Sequence, residues 1–404
     1  MATAGARFVN AGLTSHWRQP MVDDMSKHAH QLFTAGDITA SRSELEQMDS
    51  PTLRDRELLG IISYLQGRYG DAVSLLADVA AKSALNPLRQ YRARRYLSLT
   101  YLQTNRFDMA ASLPLRDPLT KLMRAFTTDP YQLTWSGARE TVLPFIQDHT
   151  WELPRVTVTA NGTQLIAKID TGGDMFSLPW SDAEAIGVKS VTTSVGWFAG
   201  GRRARTGHGI LEHLDLGGAT VTNLPISINS FDHAVVGTGL LRQFTSTLDY
   251  PAAELVLRPR QHGAAGSGFP LLMAGTHLLI AEGAVNGLRT RMLVDSGLEV
   301  TNEGCFLAPE STLLASGIPV PKSATVEGSS GAGRGRLEIG EFTVEELRLG
   351  TETRRDVIGL TGIFPPQLTK AGTIGFPLGG LVSHNFLRHY RWTLDFDGMT
   401  MSLE

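Results

Sequence analysis

The stretch Leu165-Ile166-Ala167-Lys168-Ile169-Asp170-Thr171-Gly172-Gly173 is a largely apolar run that ends on Asp-Thr-Gly, and the chain carries a second copy of it. Thr290-Arg291-Met292-Leu293-Val294-Asp295-Ser296-Gly297-Leu298 repeats the pattern, with its aspartate 125 positions further along. That interval is the size of one small lobe. A carboxylate at the end of each of two like strands suggests two half-sites that meet at an interface. Paired carboxylates are what general acid/base hydrolysis by a dyad requires.

Each copy sits in the same order of events. A hairpin signal, Asn161-Gly162 or Asn286-Gly287, leads into the Asp-bearing strand. A glycine-rich stretch follows, Gly196 to Gly209 in the first half and Gly328 to Gly335 in the second. Each half then closes on a longer signature. The first runs Val235-Val236-Gly237 and on through Leu241-Arg242-Gln243-Phe244 to Leu248-Asp249-Tyr250. The second runs Leu381-Val382-Ser383 and on through Leu387-Arg388-His389-Tyr390 to Leu394-Asp395-Phe396. Glycines and short β-branched runs dominate from Thr150–Pro154 onward. The Pro-, Gly- and Ala-bearing stretch Arg258–Gly268 divides this β region in two.

Upstream, residues 22–148 read as helical, because glycine is sparse and Ala and Leu recur at helical spacing. Tyr64-Leu65-Gln66-Gly67-Arg68-Tyr69-Gly70-Asp71-Ala72 aligns with Tyr101-Leu102-Gln103-Thr104-Asn105-Arg106-Phe107-Asp108-Met109-Ala110, and Leu32 to Ala40 is a weaker copy. The repeats resemble tetratricopeptide-like helical hairpins at irregular spacing; an irregular helical bundle is the other reading, and both are all-α. The expected domains are therefore a helical domain at 1–148, a first β lobe at 151–260 and a second at 268–404.

Bulk properties bound the function. A chain of 404 residues with 42% hydrophobic and 19% charged residues is ordinary globular protein of two to three domains. A net charge of −3 argues against nucleic acid or a membrane surface as partner. One cysteine, Cys305, leaves no internal disulfide. No apolar run approaches the roughly 18 residues of a membrane span. Met1 to Pro20 has no continuous apolar core, so no signal peptide is expected. A cytoplasmic protein and a mature periplasmic or secreted form both remain open.

With these motifs together, residues 151–404 resemble the retropepsin-like aspartic proteases in a single-chain, two-lobed form. The motifs that carry the resemblance are Asp170-Thr171-Gly172, Asp295-Ser296-Gly297 and the closures at Val235-Val236-Gly237 and Leu381-Val382-Ser383. The resemblance implies two β lobes related by a pseudo-twofold axis, a flap over the cleft, and peptide-bond hydrolysis by one water shared between Asp170 and Asp295. It implies no cofactor. Two lobes in one chain remove the need for a dimer, so a monomer suffices. The alternative for each aspartate alone is a strand-end residue capping a turn. Thr171 and Ser296 carry hydroxyls at the same offset; in the family these reach the opposite loop and fix the aspartates, and a local turn bond is the other reading. Gly172 and Gly297 let the chain turn and its N–H groups approach the carboxylates.

Three departures from the family pattern stand out: bulky Leu298 after the second triplet, Ser383 where the second closure usually has glycine, and the extra carboxylate Asp174. They leave a second class of function open, a degenerate retropepsin-like body used with the helical domain as a binding scaffold. In the first lobe, Gly196 to Gly201 is the flap candidate, with Trp197 or Phe198 covering peptide; a core aromatic beside a loop is the plainer reading. Arg202, Arg203 and Arg205 follow as a charged loop or a contact for acidic substrate groups.

Gly331-Ala332-Gly333-Arg334-Gly335 lacks the Lys-Ser/Thr of a phosphate loop and reads as a second-lobe flap or a disordered tip. The histidine spacings fit no metal site, no Gly-x-Ser-x-Gly elbow is present, and Cys305 has no nucleophile context. The expected partner is a peptide or protein substrate. The helical domain, with Arg89, Arg92, Arg94 and Arg95 on one stretch, is a candidate surface for a protein partner. A solvated charged face is the plainer reading of those arginines; the sharper one packs residues 22–148 beside the cleft, where they restrict it to particular partners, and lets the two-lobed body fold without residues 1–148.

Overall fold

The computed structural model describes residues 18–126, 130–137, 139–146, 153–198, 202–260, 268–298, 303–330, 333–369 and 374–404. Three helical hairpins come first. Helix Arg18–Thr34 pairs with Ile38–Glu46, Leu53–Leu65 with Tyr69–Lys82, and Pro87–Gln103 with Phe107–Ser112. The sequence repeat is a repeated turn. Gly36, Gly67 and Asn105 hold φ of 87°, 72° and 55°, the left-handed region that ends a helix. The following N–H closes the turn each time: Asp37 N to Leu32 O at 2.9 Å, Arg68 N to Ser63 O at 2.8 Å, and Arg106 N to Tyr101 O at 2.8 Å. Thr52 and Asp55 form a capping box, and Asn86 with Pro87 opens the fifth helix. Ala72 and Ala110 are fully buried where the hairpin arms meet, whereas Ala40 of the weaker copy is half-buried.

Helix ends earlier than the sequence reading placed it. After a 3-10 turn at Arg124–Phe126, two short strands, Gln132–Trp135 and Thr141–Pro144, stand where helix was expected. Gln132–Trp135 pairs with Ala219–Asn229, and Thr141–Pro144 pairs with Glu254–Arg258. Both are four-residue edge strands completed by residues far along the chain, so no local period marks them.

The β region is an 8-stranded sheet and a 13-stranded sheet. In the first, Ala219–Asn229 pairs with Phe176–Pro179 and also with Arg202–Asp215, which stands five places away in the strand order, so the sheet curls back on itself. Both Asn-Gly hairpins form: Asn161 and Asn286 hold φ of 47° and 46°, and each following glycine 80°. Each asparagine side chain also accepts a backbone N–H from a neighbouring strand, His213 for Asn161 and Glu346 for Asn286, both at 3.0 Å. The two halves are thus alike down to a side-chain contact.

The closures meet each other. Strand Thr245–Asp249 pairs antiparallel with Arg391–Asp395, with Thr247 opposite Thr393 and their hydroxyls 2.8 Å apart. These threonines hold the same place in the two signatures, so the pseudo-twofold axis runs between them. The larger sheet joins the lobes through this pair. The linker stretch lies partly at 261–267, outside the described residues.

The helices share a core with the second lobe. Phe33 meets Phe376 edge-on at 5.8 Å, and both belong to one apolar cluster with Leu272, Ile280 and Leu381. Gly67 and Gly375 have no side chain where Met399 and Phe33 seat; a Cβ at either would collide with them. Arg92 forks onto buried Glu57 at 2.5 and 2.7 Å and Arg89 approaches it at 3.4 Å, which takes two of the four arginines into the helical packing.

Candidate active site

Asp170 and Asp295 end their strands side by side. Strand Thr163–Asp170 runs parallel to Ala234–Gly237, pairing Asp170 with Gly237; Leu288–Val294 runs parallel to Gly380–Val382, and Asp295 N donates to Val382 O at 3.0 Å. Each closure therefore holds up the Asp loop of its own lobe. Beyond the strands, each loop turns on its glycine. Gly172 N donates to Asp170 Oδ1 at 2.8 Å, and Gly297 N to Asp295 Oδ1 at 3.0 Å.

The loops lock to each other through Thr171 and Ser296, both without exposed surface. Thr171 Oγ1 accepts the Ser296 N–H at 3.0 Å and donates to Val294 O at 2.9 Å. Ser296 Oγ accepts the Thr171 N–H at 3.1 Å and donates to Ile169 O at 3.3 Å. The hydroxyls thus cross between the lobes instead of closing local turns. The glycines are required by the same closeness: a Cβ on Gly172 would lie 2.5 Å from Asp295 Oδ2, and one on Gly297 would overlap the Asp170 carboxyl group.

The result is a pair of half-buried carboxyls in hydrogen-bonding contact. Burial raises the affinity of both for a proton, and the charge of Asp170 raises Asp295 further, well above the usual carboxylate range. Two such groups titrate as a unit and share one proton.

The three departures leave this lock in place. Ser383 is buried; its hydroxyl donates to Gly304 O at 2.6 Å and accepts the Asn385 N–H at 3.2 Å, capping helix His384–Leu387. Its counterpart Gly237 could not be changed alike, because a Cβ there would strike Met175 O. Leu298 accepts the His384 N–H at 3.3 Å through its carbonyl. Asp174 accepts from Ser227 Oγ at 3.1 Å and sits at the edge of the site.

Each glycine-rich stretch forms a hairpin, Ser190–Phe198 with Arg202–Asp215 and Ala324–Ser330 with Gly333–Leu349. Trp197 is 56% exposed, with the Arg203 guanidinium 4.8 Å above its ring. Phe198 packs edge-on against Phe231 at 6.1 Å, closer to the plainer reading of the two aromatics. The tips, 199–201 and 331–332, lie outside the described residues.

Sequence reasoning passed over two groups here, Thr238 and His277, and read a third, Arg202, only as part of a charged loop or a contact for acidic substrate groups. Arg202 reaches from the first hairpin to the second, donating to Gly333 O at 2.6 Å and Arg334 O at 2.8 Å. Thr238 Oγ1 donates to Thr171 O at 2.8 Å and braces the first Asp loop from below. His277, in the turn before strand Leu278–Val285, lies within electrostatic reach of Asp170 and Asp174, and burial holds it below the usual histidine range. Only Arg202 carried a signal, as the first of the arginines behind the flap candidate. Among the described residues, no group of three or more His, Cys, Asp and Glu could hold a metal ion. No helix among them is long and apolar enough to cross a membrane.

Comparison with known proteins agrees with this geometry in part of the chain. Residues 156–243 match the family model described as aspartyl protease. No curated protein matches the sequence. Among solved structures, a retropepsin-like aspartic protease from Rickettsia conorii aligns at 16% identity, over 32% of this chain and 92% of that one, with a TM-score of 0.24. An aspartic proteinase from Irpex lacteus aligns at 11% identity, over 65% of this chain and 96% of that one, with a TM-score of 0.41. Residues 156–243, which hold Asp170, Thr171, Gly172 and the first closure, are thus similar to the aspartyl protease family, and residues 268–404 repeat the Asp loop, hairpins and closure of that lobe.

Proposed function

We propose that the protein is an aspartic endopeptidase that hydrolyses peptide bonds with a water held between Asp170 and Asp295. The observation that carries this reading is the reciprocal lock of Thr171 and Ser296, which brings the two carboxyls into contact. A binding scaffold has no use for two carboxyls held at the cost of their burial.

In the working state one carboxyl is ionised and the other holds the shared proton. The ionised group takes a proton from the water as its oxygen adds to the peptide carbonyl carbon. The neutral group gives its proton to the carbonyl oxygen, so a gem-diol forms. A proton then passes to the amide nitrogen, the C–N bond breaks, and the dyad returns to one proton. Gly172 and Gly297 N–H groups steady the inner oxygens, leaving the outer ones for water and substrate.

Asp170→Asn and Asp295→Asn, each purified beside the parent, test this on a peptide library at several pH values. Each is expected to abolish hydrolysis with the unfolding midpoint kept, and a statine peptide is expected to inhibit the parent. Either variant turning over near the parent's rate would remove the dyad from the mechanism.

A further inference from the structure

Three of the ten large apolar side chains exposed among the described residues stand on one strand. Val191, Val195 and Trp197 of Ser190–Phe198 are 48%, 53% and 56% exposed, and Thr193 is exposed between them. Side chains alternate along a strand, so Thr193, Val195 and Trp197 share one face, with Val191 at the bulge that precedes them. Directly opposed residues point the same way, so Arg203, Arg205 and Gly207 of Arg202–Asp215 share that face opposite Trp197, Val195 and Thr193. Ser190–Phe198 is the last strand in the order of its sheet. Helix Pro118–Met123 packs against both strands and still leaves these side chains exposed.

The charges on this face are guanidinium groups. Arg203 stacks over Trp197 at 4.8 Å and Arg205 over Trp180 at 5.1 Å. Both arginines are exposed, and neither forms an ion pair among the described residues. A guanidinium stacked on a ring keeps its N–H fork in its own plane, where it can take a carboxylate by two bonds. Trp180 belongs to the same face because Gly207 makes room for it: a Cβ on Gly207 would lie 2.7 Å from the indole. Trp180 also lines a cavity of about 330 Å³ with Ala183, Val188, Lys189 and Ile228, and Glu184 is the acid of that lining. Apolar surface thus runs from Trp197 past Val195 and Trp180 to a cavity, with two arginines along it. A contiguous apolar patch of this kind marks an interaction surface.

We infer that this face docks an extended polypeptide segment with acidic residues at alternate positions. Arg203 and Arg205 are two residues apart on one strand, so they stand about 6.6 Å apart. That is also the spacing of side chains i and i+2 in an extended partner, so two carboxylates there meet both forks. A second copy of this chain is a poorer occupant. Val191 to Trp197 and Arg203 to Gly207 contain no acidic residue, so a twofold contact through this face sets arginine against arginine. The inference concerns binding and does not depend on the peptidase reading.

The test uses a fluorescein-labelled peptide of about twelve residues, roughly 40 Å when extended, with Glu alternating with Val and Leu. It and its Gln counterpart are titrated by anisotropy against the full chain at about 0.05 and 0.15 M salt. The Glu peptide is expected to bind about tenfold more tightly or better, and to weaken with salt. The double variant Arg203→Gln, Arg205→Gln should bring it down to the level of the Gln peptide. Arg203→Lys with Arg205→Lys, which keeps the charges and loses the forks, should fall between. Asp170→Asn should bind the Glu peptide as the parent does, and a different affinity there would move the binding to the dyad and overturn the docking face. Equal binding of the Glu and Gln peptides by the parent, which needs no variant, would overturn it as well. So would parent-like binding by the double Gln variant. Arginine-dependent binding of phosphatidylserine vesicles with both peptides ignored would give the face to a membrane surface instead. Self-association lost in the double variant would give it to a second copy, and either result overturns the polypeptide partner.

Discussion

Thr171→Val isolates the interlobe lock from the volume of the side chain. Valine keeps the β-branched shape but has no hydroxyl. It would strip the Ser296 N–H of its acceptor and the Val294 carbonyl of a donor, at a position with no exposed surface. Each buried polar group left without a partner costs about 1–3 kcal/mol, so two predict a loss of about 2–6 kcal/mol. Against a typical total of about 5–15 kcal/mol, that is large for the exchange of one heavy atom. The urea midpoint should fall with little change in slope, read from the fluorescence of the buried interlobe Trp392. Hydrolysis should drop by about tenfold or more, because the carboxyls lose their fixed separation. Ser296→Ala breaks the same network from the other side, so the double variant should cost less than the two single losses added. A Thr171→Val protein within about 0.5 kcal/mol of the parent, with unchanged turnover, would refute the lock as what holds the dyad.

Stability should depend on pH through the dyad. Asp170 and Asp295 are raised by burial, so between the ordinary carboxylate range and their folded value the folded chain holds more protons than the unfolded one. Stability then falls as pH rises through that window, and Asp295→Asn should flatten the slope; an unchanged slope in urea titrations across it would contradict the shared proton. Arg202→Ala removes the bridge between hairpins, so amide exchange in Ala324–Ser330 should quicken and KM rise more than kcat falls; exchange identical to the parent's would mean that the bridge does not order the second hairpin. Deleting residues 1–148 should yield no cooperative fold, because it removes strands Gln132–Trp135 and Thr141–Pro144 and bares Leu272, Ile280 and Phe376. This reverses what the sequence leads one to expect, and a truncated protein unfolding cooperatively at the parent's midpoint would restore that expectation.

What the sequence makes legible is what repeats within a short window. The Asp loops, the Asn-Gly hairpins and the closures are each set by residues a few positions apart, and each occurs twice. Even the lock is implied by its hydroxyls, since Thr171 and Ser296 hold the same offset from their aspartates. Less legible is anything completed at long range. Thr141-Val142-Leu143-Pro144 has β-branched character, but what makes it a strand is Glu254–Arg258, over a hundred residues later. His277 stands 107 positions from Asp170 in a turn of no special composition, and only the folding of one lobe on the other brings it to the site.

The glycines mark this limit most directly. Gly36 and Gly67 read as turn punctuation, and their positive φ agrees. Yet Gly67 also leaves the space that Met399 fills, and Gly36 presents its carbonyl to Arg291 Nε at 2.5 Å. A residue chosen for backbone freedom is thus also a docking point, and a single sequence records only the first role. Met399 and Arg291 lie in the second lobe, one at the turn of its last hairpin and the other on the strand that ends at Asp295. The helical hairpins therefore bear on the strand that leads into Asp295 through one of their own turns. That is why we expect the region to act as part of the site's frame, and its removal to disturb the pairing of Asp170 and Asp295.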